Sequence, residues 1–155
     1  MARIENDRLF LSQLKRHEGF SLEAYLCPAG ALTIGWGHNC DAHPVPGVEQ
    51  VGDVISKGSA ESLLYQDLKA LAHELDDKIP WWRELSDPRA AVILNMAFNL
   101  GAPKLLGFKR ALAAAKESDW NKAAFELADS KWAEQVKHRS RELITQFALG
   151  AWQEA

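Results

Sequence analysis

The sequence is poor in several things at once. Only two of its 155 residues are cysteine and only two are tyrosine. Two thiols are too few for a disulfide scaffold. No apolar run reaches the ~18–20 residues that a membrane span needs, so no spanning segment is expected. The start, Met-Ala-Arg-Ile-Glu-Asn-Asp-Arg, has acids where a signal peptide carries its basic region, and no long apolar stretch follows. That reading expects a protein made in the cytoplasm without its own export signal. An excess of positive charge is also missing. The net charge of −3 excludes a whole-chain footprint for nucleic acid.

What is present is a globular composition, 47% apolar and 25% charged. The length suits one domain, or two small lobes that share a helix. Charge is spread unevenly. Residues 1–100 hold nine Lys/Arg against fourteen Asp/Glu, and residues 101–155 hold nine against seven. The C-terminal third is therefore mildly basic and suits an anionic partner.

Apolar periodicity predicts an amphipathic helix over 3–17, where Ile4, Leu11 and Leu14 recur with Phe10 beside them and Glu18-Gly19 forms the stop. Residues 20–40 change character, with Gly30, Gly35, Gly37 and the turn signal Pro28-Ala29-Gly30 around Leu32-Thr33-Ile34. Two or three short antiparallel strands are expected there, then loop and edge strand over 39–58. Leu64, Leu68, Leu71 and Leu75 predict a long helix over about 59–79, with Ser56 or Ser59 as its cap and Pro80 beyond its end. Asp87-Pro88 reads as a cap followed by a first-turn proline, opening an almost wholly apolar helix to Leu100. Further helices are predicted at 106–116, at 119–129 with Asp119 as cap, and at 137–149 ended by Gly150. The fold class is thus α+β and mostly helical. A small β-containing N-terminal lobe (1–58) is joined by the long helix to a helical C-terminal lobe (80–155), with a groove between lobes as the expected ligand site.

Reactive side chains are densest over residues 17–43: His17, Glu18, Cys27, Thr33, His38, Cys40, Asp41 and His43. Glu18 falls where a helix meets the β-region. Burial there would raise its pKa and let it donate a proton to a leaving oxygen. The plainer reading is a solvated helix-end residue, the ordinary fate of Glu. Thr33 lies between two apolar residues, so its hydroxyl points to the opposite face of its strand, away from the core and toward the expected groove. Its plainer reading is a simple β-former, and that of Cys27 a small buried hydrophobe.

The run Glu18-Gly19-Phe20-Ser21-Leu22-Glu23-Ala24-Tyr25-Leu26-Cys27-Pro28-Ala29-Gly30-Ala31-Leu32-Thr33-Ile34-Gly35-Trp36-Gly37-His38 resembles the catalytic region of phage-type lysozymes, the T4-lysozyme-like endolysin family. The family pattern is Glu, eight residues, Asp or Cys, five residues, Thr, then Ile-Gly-x-Gly-His. Asn95-Met96-Ala97-Phe98-Asn99-Leu100-Gly101 is similar to the family's central helix. Gly107-Phe108, the Trp120–Ala124 segment, and Arg139–Phe147 followed by Gly150-Ala151-Trp152 are similar to its later elements. The resemblance covers nearly the whole chain.

The resemblance implies a lysozyme-like fold and a muramidase that cuts the β-1,4 bond between N-acetylmuramic acid and N-acetylglucosamine in peptidoglycan. Glu18 would be the general acid, with Cys27 and Thr33 holding and polarising a water or one of them acting in covalent capture. Phe98 and Asn99 would line the groove from the C-terminal lobe. Arg139 would reach toward Glu18, favouring its anion where burial favours the acid. His38 would be structural, with Asp67 on the following helix as its expected partner. It also implies bacterial peptidoglycan as the partner, a monomer, and a host cytoplasmic location with access to the wall through a holin. No cofactor is called for.

The departure is Cys27, where much of the family has Asp. An ordinary thiol of pKa ≈ 8.5 is only about 3% ionised at pH 7, and an anionic Glu18 beside it would lower that fraction. A polarisable hydrogen-bond partner for water and a thiolate aided by backbone N–H groups both stay open. So does a catalytically weak peptidoglycan-binding module on the same fold, with Cys27 marking lost activity, and a toxin or tail component that borrowed the domain. A zinc set of Cys27, His38, Cys40 and His43 does not match standard ligand spacing, so no metal is expected. His17 reads as a helix-end polar residue and His43 as a solvated loop residue. Trp81-Trp82, after Pro80, are candidates to line the groove; Trp120, Trp132 and Trp152 read as core and Trp36 stays open.

Overall fold

The computed structural model describes residues 3–154. The chain divides into two compact units, Leu11–Ala70 on one hand and the residues up to Phe10 together with Leu71 onward on the other.

The first unit holds most of α1 (Arg8–His17), the strands β1 (Ser21–Leu26), β2 (Leu32–Gly35) and β3 (His38–Asn39), and the first part of α2 (Lys57–Lys78). The sheet is antiparallel in the order β1-β2-β3. β1 and β2 meet in a tight turn. Cys27 N–H donates to Ala31 O at 2.9 Å and Gly30 N–H to Cys27 O at 2.8 Å. Gly30 takes φ +84°, a conformation open to glycine at little steric cost, and Pro28 supplies the turn's fixed φ. Tyr25 pairs with Thr33 and Leu26 with Leu32 across the strands. Alternation then splits the faces. Leu32, Ile34 and Ala24 enter a small core with Cys40 and Val48, packed by Val45, Ile55 and Leu63. Tyr25 and Thr33 point the other way.

α1 begins later than periodicity suggests. Residues 4–6 form a 3-10 turn, and Asp7 Oδ1 accepts from the N–H groups of Leu9 and Phe10, which starts the α-helix afresh. Its end needs no left-handed residue at Gly19, so the expected glycine stop is not the mechanism. Ser56 rather than Ser59 caps α2, its Oγ accepting from Ser59 N–H at 3.1 Å.

The second unit is helical. Residues 3–10 belong with it rather than with the small lobe, because Ile4 is buried and Glu5 forms an ion pair with Arg83 at 2.8 Å. A 3-10 turn (Trp82–Glu84) leads to α3 (Asp87–Leu100). Ser86, not Asp87, is the residue before its first turn, and Asp87 is itself helical. α3 is buried continuously from Ala90 to Ala97, the signature of a central helix. α4 (Ala102–Leu106), α5 (Lys109–Lys116), α6 (Trp120–Ala128), α7 (Lys131–Gln135) and α8 (Lys137–Leu149) follow. Asp119 caps α6 by accepting from Lys122 N–H. Gly150 ends α8 at φ +68°. Trp132 is buried, whereas Trp152 sits in the irregular segment after α8 and is only half-buried, so it is not a core helix residue.

Candidate active site

The small unit brings Glu18, Cys27 and Thr33 into one framework of turns. Glu18 is half-buried just past α1, its N–H donating to Leu14 O at 2.9 Å. Its carboxyl lies at the β2–β3 turn, with Oε1 3.8 Å from where a Cβ on Gly37 would stand. Cys27 is half-buried at the β1–β2 turn and is a free thiol. Its pKa is held below the usual thiol value. The main cause is the backbone N–H of Ala31, then that of Ala29, with further help from the Thr33 hydroxyl and Gly30 N–H against an opposing burial effect. Nearby peptide N–H groups of the turn thus favour the anionic form of the sulfur, as a neutral backbone can.

Thr33 is on the face opposite Leu32 and Ile34, yet only 5% exposed, so its hydroxyl is enclosed rather than open. That hydroxyl donates to Ala31 O at 2.9 Å. A hydroxyl has one proton. With a thiol at Cys27 the hydroxyl keeps donating to Ala31 O; with a thiolate it can turn to donate to sulfur.

His38 is buried and held at both ends. Nδ1 lies 2.8 Å from Asp67 Oδ2, and Nε2 lies 2.9 Å from the carbonyl of His43. Both partners are acceptors, so only the doubly protonated ring satisfies both. The hydrogen bond with Asp67 is the main reason that His38's pKa is raised, ahead of the opposing effect of burial. Cys40 lies in the core cluster, where burial pushes its pKa up. His38 and Cys40 are thus committed elsewhere, and His43 is exposed. Trp36 is nearly buried, stacked on Phe20 with ring centroids 4.3 Å apart and with Lys15 Nζ 4.6 Å from its ring.

In the helical unit, Phe98 and Asn99 are half-buried near the end of α3. Asn99 Oδ1 accepts from Trp132 Nε1 at 2.8 Å, which leaves the amide N–H groups of Asn99 as donors. Arg139 is buried, and its Nε donates to Asn95 Oδ1 at 2.9 Å. Trp82 is fully buried with Nε1 on Asp76 Oδ1, and Trp81 is half-buried.

Two groups of residues escaped the sequence reading. A cavity of about 570 Å³ is lined by Lys104, Lys109, Arg110, Glu126 and Asp129, with Phe108 among its other walls. No ion pair joins any of these charges among the described residues. The basic excess of the last third was the available signal, but it does not say which cations converge. The other is Tyr25, which pairs with Thr33 across the strands and whose pKa is raised by burial and then by the charges of Cys27 and Glu18.

The small unit thus carries a half-buried carboxyl just before β1, a half-buried thiol at the β1–β2 turn and an enclosed hydroxyl on β2. Comparisons with known proteins identify the chain's family. A family model described as Phage lysozyme matches residues 15–146. Probable T4-type lysozyme 2 of Dictyostelium discoideum is 30% identical over 160 residues, covering 91% of this chain and 94% of that protein. Pre-baseplate central spike protein Gp5 of Enterobacteria phage T4 is 32% identical over 145 residues, covering 82% of this chain and 25% of that protein. An endolysin of Acyrthosiphon pisum secondary endosymbiont phage 1 is 33% identical over 90 residues, 57% of this chain and 54% of that protein. The chain belongs to the phage lysozyme family and is a glycoside hydrolase of the lysozyme class. No helix of the described residues is long and apolar enough to cross a membrane.

Proposed function

We propose that the protein is an endolysin-type muramidase that hydrolyses the β-1,4 bond between N-acetylmuramic acid and N-acetylglucosamine in bacterial peptidoglycan. Glu18 is the general acid and gives its proton to the glycosidic oxygen as the bond breaks. A water adds to the sugar carbon, and its proton passes to the acceptor formed by Cys27 with Thr33. Such a site needs an acid and an acceptor. The observation that carries this reading is the free Cys27 thiol at the β1–β2 turn, its pKa lowered chiefly by the neighbouring backbone N–H of Ala31, which favours sulfur in the anionic role that a second carboxylate would fill.

Phe98, Asn99 and Arg139 are the substrate-binding residues of this proposal. Asn99 supports it with amide N–H groups left to donate to sugar oxygens. The charged cavity suits the same substrate, because peptidoglycan stem peptides carry both carboxylates and amines. His38 and Asp67 act by fixing β3 against α2. Passage to the wall through a pore made by a holin belongs to the same proposal, and lysis only on co-expression with a pore-former is its test.

The direct test is release of reducing sugar from purified peptidoglycan. Glu18→Gln is expected to slow it by about 10²–10⁴-fold, the usual worth of a positioned general acid. Equal rates for Glu18→Gln and wild type would remove the assignment.

A further inference from the structure

We infer that Tyr25 is a substrate-binding residue of the sheet face that carries Thr33 and Cys27, its phenol donating its O–H to an acceptor oxygen of the bound glycan. The inference rests on the roles given above to Glu18 and Cys27.

The placement comes from strand register. Tyr25 stands directly opposite Thr33, so the two side chains share a face. Cys27, two residues further along, continues that face by alternation, and its N–H still bonds Ala31 across the turn. The opposite face is spent on the core of Ala24, Leu32 and Ile34. Tyr25 is therefore half-buried without belonging to that core.

The donor inventory then singles it out. Thr33 gives its one proton to Ala31 O. The Tyr25 hydroxyl has no hydrogen-bond partner among the described residues. A half-buried phenol O–H normally finds an acceptor, and where the protein supplies none the acceptor is a ligand or water. The phenol also keeps its proton: burial, then the charges of Cys27 and Glu18, push its pKa above the usual value. It stays an O–H donor across the pH range in which a carboxylic acid and a thiol change state. A neutral donor beside two ionisable groups binds a neutral sugar oxygen without adding a competing charge.

The test uses a soluble tetrasaccharide of alternating N-acetylglucosamine and N-acetylmuramic acid. Binding is measured on Glu18→Gln protein with and without Tyr25→Phe, and turnover on the Tyr25→Phe single variant. Tyr25→Phe is expected to weaken binding about three- to tenfold and to raise KM by a similar factor, with kcat changed less. Its melting temperature should match wild type, since the ring is kept. Tyr65→Phe, at an exposed position of α2, is the control and should change neither. Unchanged binding and KM in Tyr25→Phe overturn the inference, as does a loss of melting temperature without a change in KM. If Glu18→Gln retains wild-type turnover, the failure lies instead with the proposed function, so the two failures are distinguishable.

Discussion

The two units solve opposite problems with the same backbone chemistry. In the helical unit, polar side chains close the ends and seams of helices. Arg89 donates from Nε to Phe147 O at 2.8 Å and from an Nη to Ala148 O at 2.9 Å, satisfying carbonyls at the end of α8. Gln146 reaches Pro88 O, and Arg139 reaches Asn95. In the small unit one turn works the other way: backbone N–H groups of the β1–β2 turn lower the pKa of a side chain, the thiol of Cys27. The lesson is a division of labour: substitutions in the helical seams should cost stability, and substitutions on the turns should cost chemistry.

The largest stability effect is expected at Asn95, which is fully buried and accepts from a buried guanidinium. Asn95→Leu should cost about 2–3 kcal/mol, because a charged donor loses an acceptor out of reach of water. A denaturant melt reads this as a lower midpoint at unchanged slope. Gly150→Ala should come next. The site has φ +68°, and an added Cβ would lie 2.9 Å from Arg89 Cζ. About 1–2 kcal/mol is expected, from left-handed strain and displacement of the arginine. By calorimetry that is a fall of several degrees for a chain of this size. A melting temperature unchanged by either substitution would break the contrast from the helical side.

The small unit offers a weaker, pH-dependent term. The folded pKa of His38 lies above its unfolded value of about 6.5. The pair with Asp67 therefore contributes fully below about pH 6.5, and its contribution is lost as pH rises through the folded value. Asp67→Asn should lower the melting temperature by a few degrees near pH 5–6, with a shrinking difference on the alkaline side. A constant gap across pH would deny the ion pair. The smallest effect is a shift in midpoint rather than a loss. Alkylation of Cys27 by iodoacetamide should titrate below the ordinary thiol value of about 8.5, and Thr33→Val should move that midpoint up. Cys40 should react slowly, being buried with a raised pKa.

The contrast also explains what could be read from the residues. α6 and α8 were legible because Asp119 and Gly150 are strong terminal signals, and α3 because its apolar run is unbroken. α4 and α7 were not. Each has five residues, too few for a helical period to emerge, and their packing within the helical unit decides them. The chemistry-bearing types in residues 17–43 were visible, but their electrostatics were not. The residues left open both a thiol held up by an anionic Glu18 and a thiolate aided by backbone N–H groups; the lowered pKa favours the second. Backbone direction at a turn is not written in side-chain identity. Tyr25 was missed for a related reason: β1 and β2 carry a register irregularity between Ser21 and Tyr25, so its partner follows only from the folded pairing.

The most direct test of a sulfur acting in place of a second carboxylate is the rate of reducing-sugar release from purified peptidoglycan by Cys27→Ala, Cys27→Ser and Cys27→Asp against wild type. The account predicts that alanine and serine lose most of the rate while aspartate keeps much of it, all three melting near the wild-type temperature. Full activity in Cys27→Ala would contradict it.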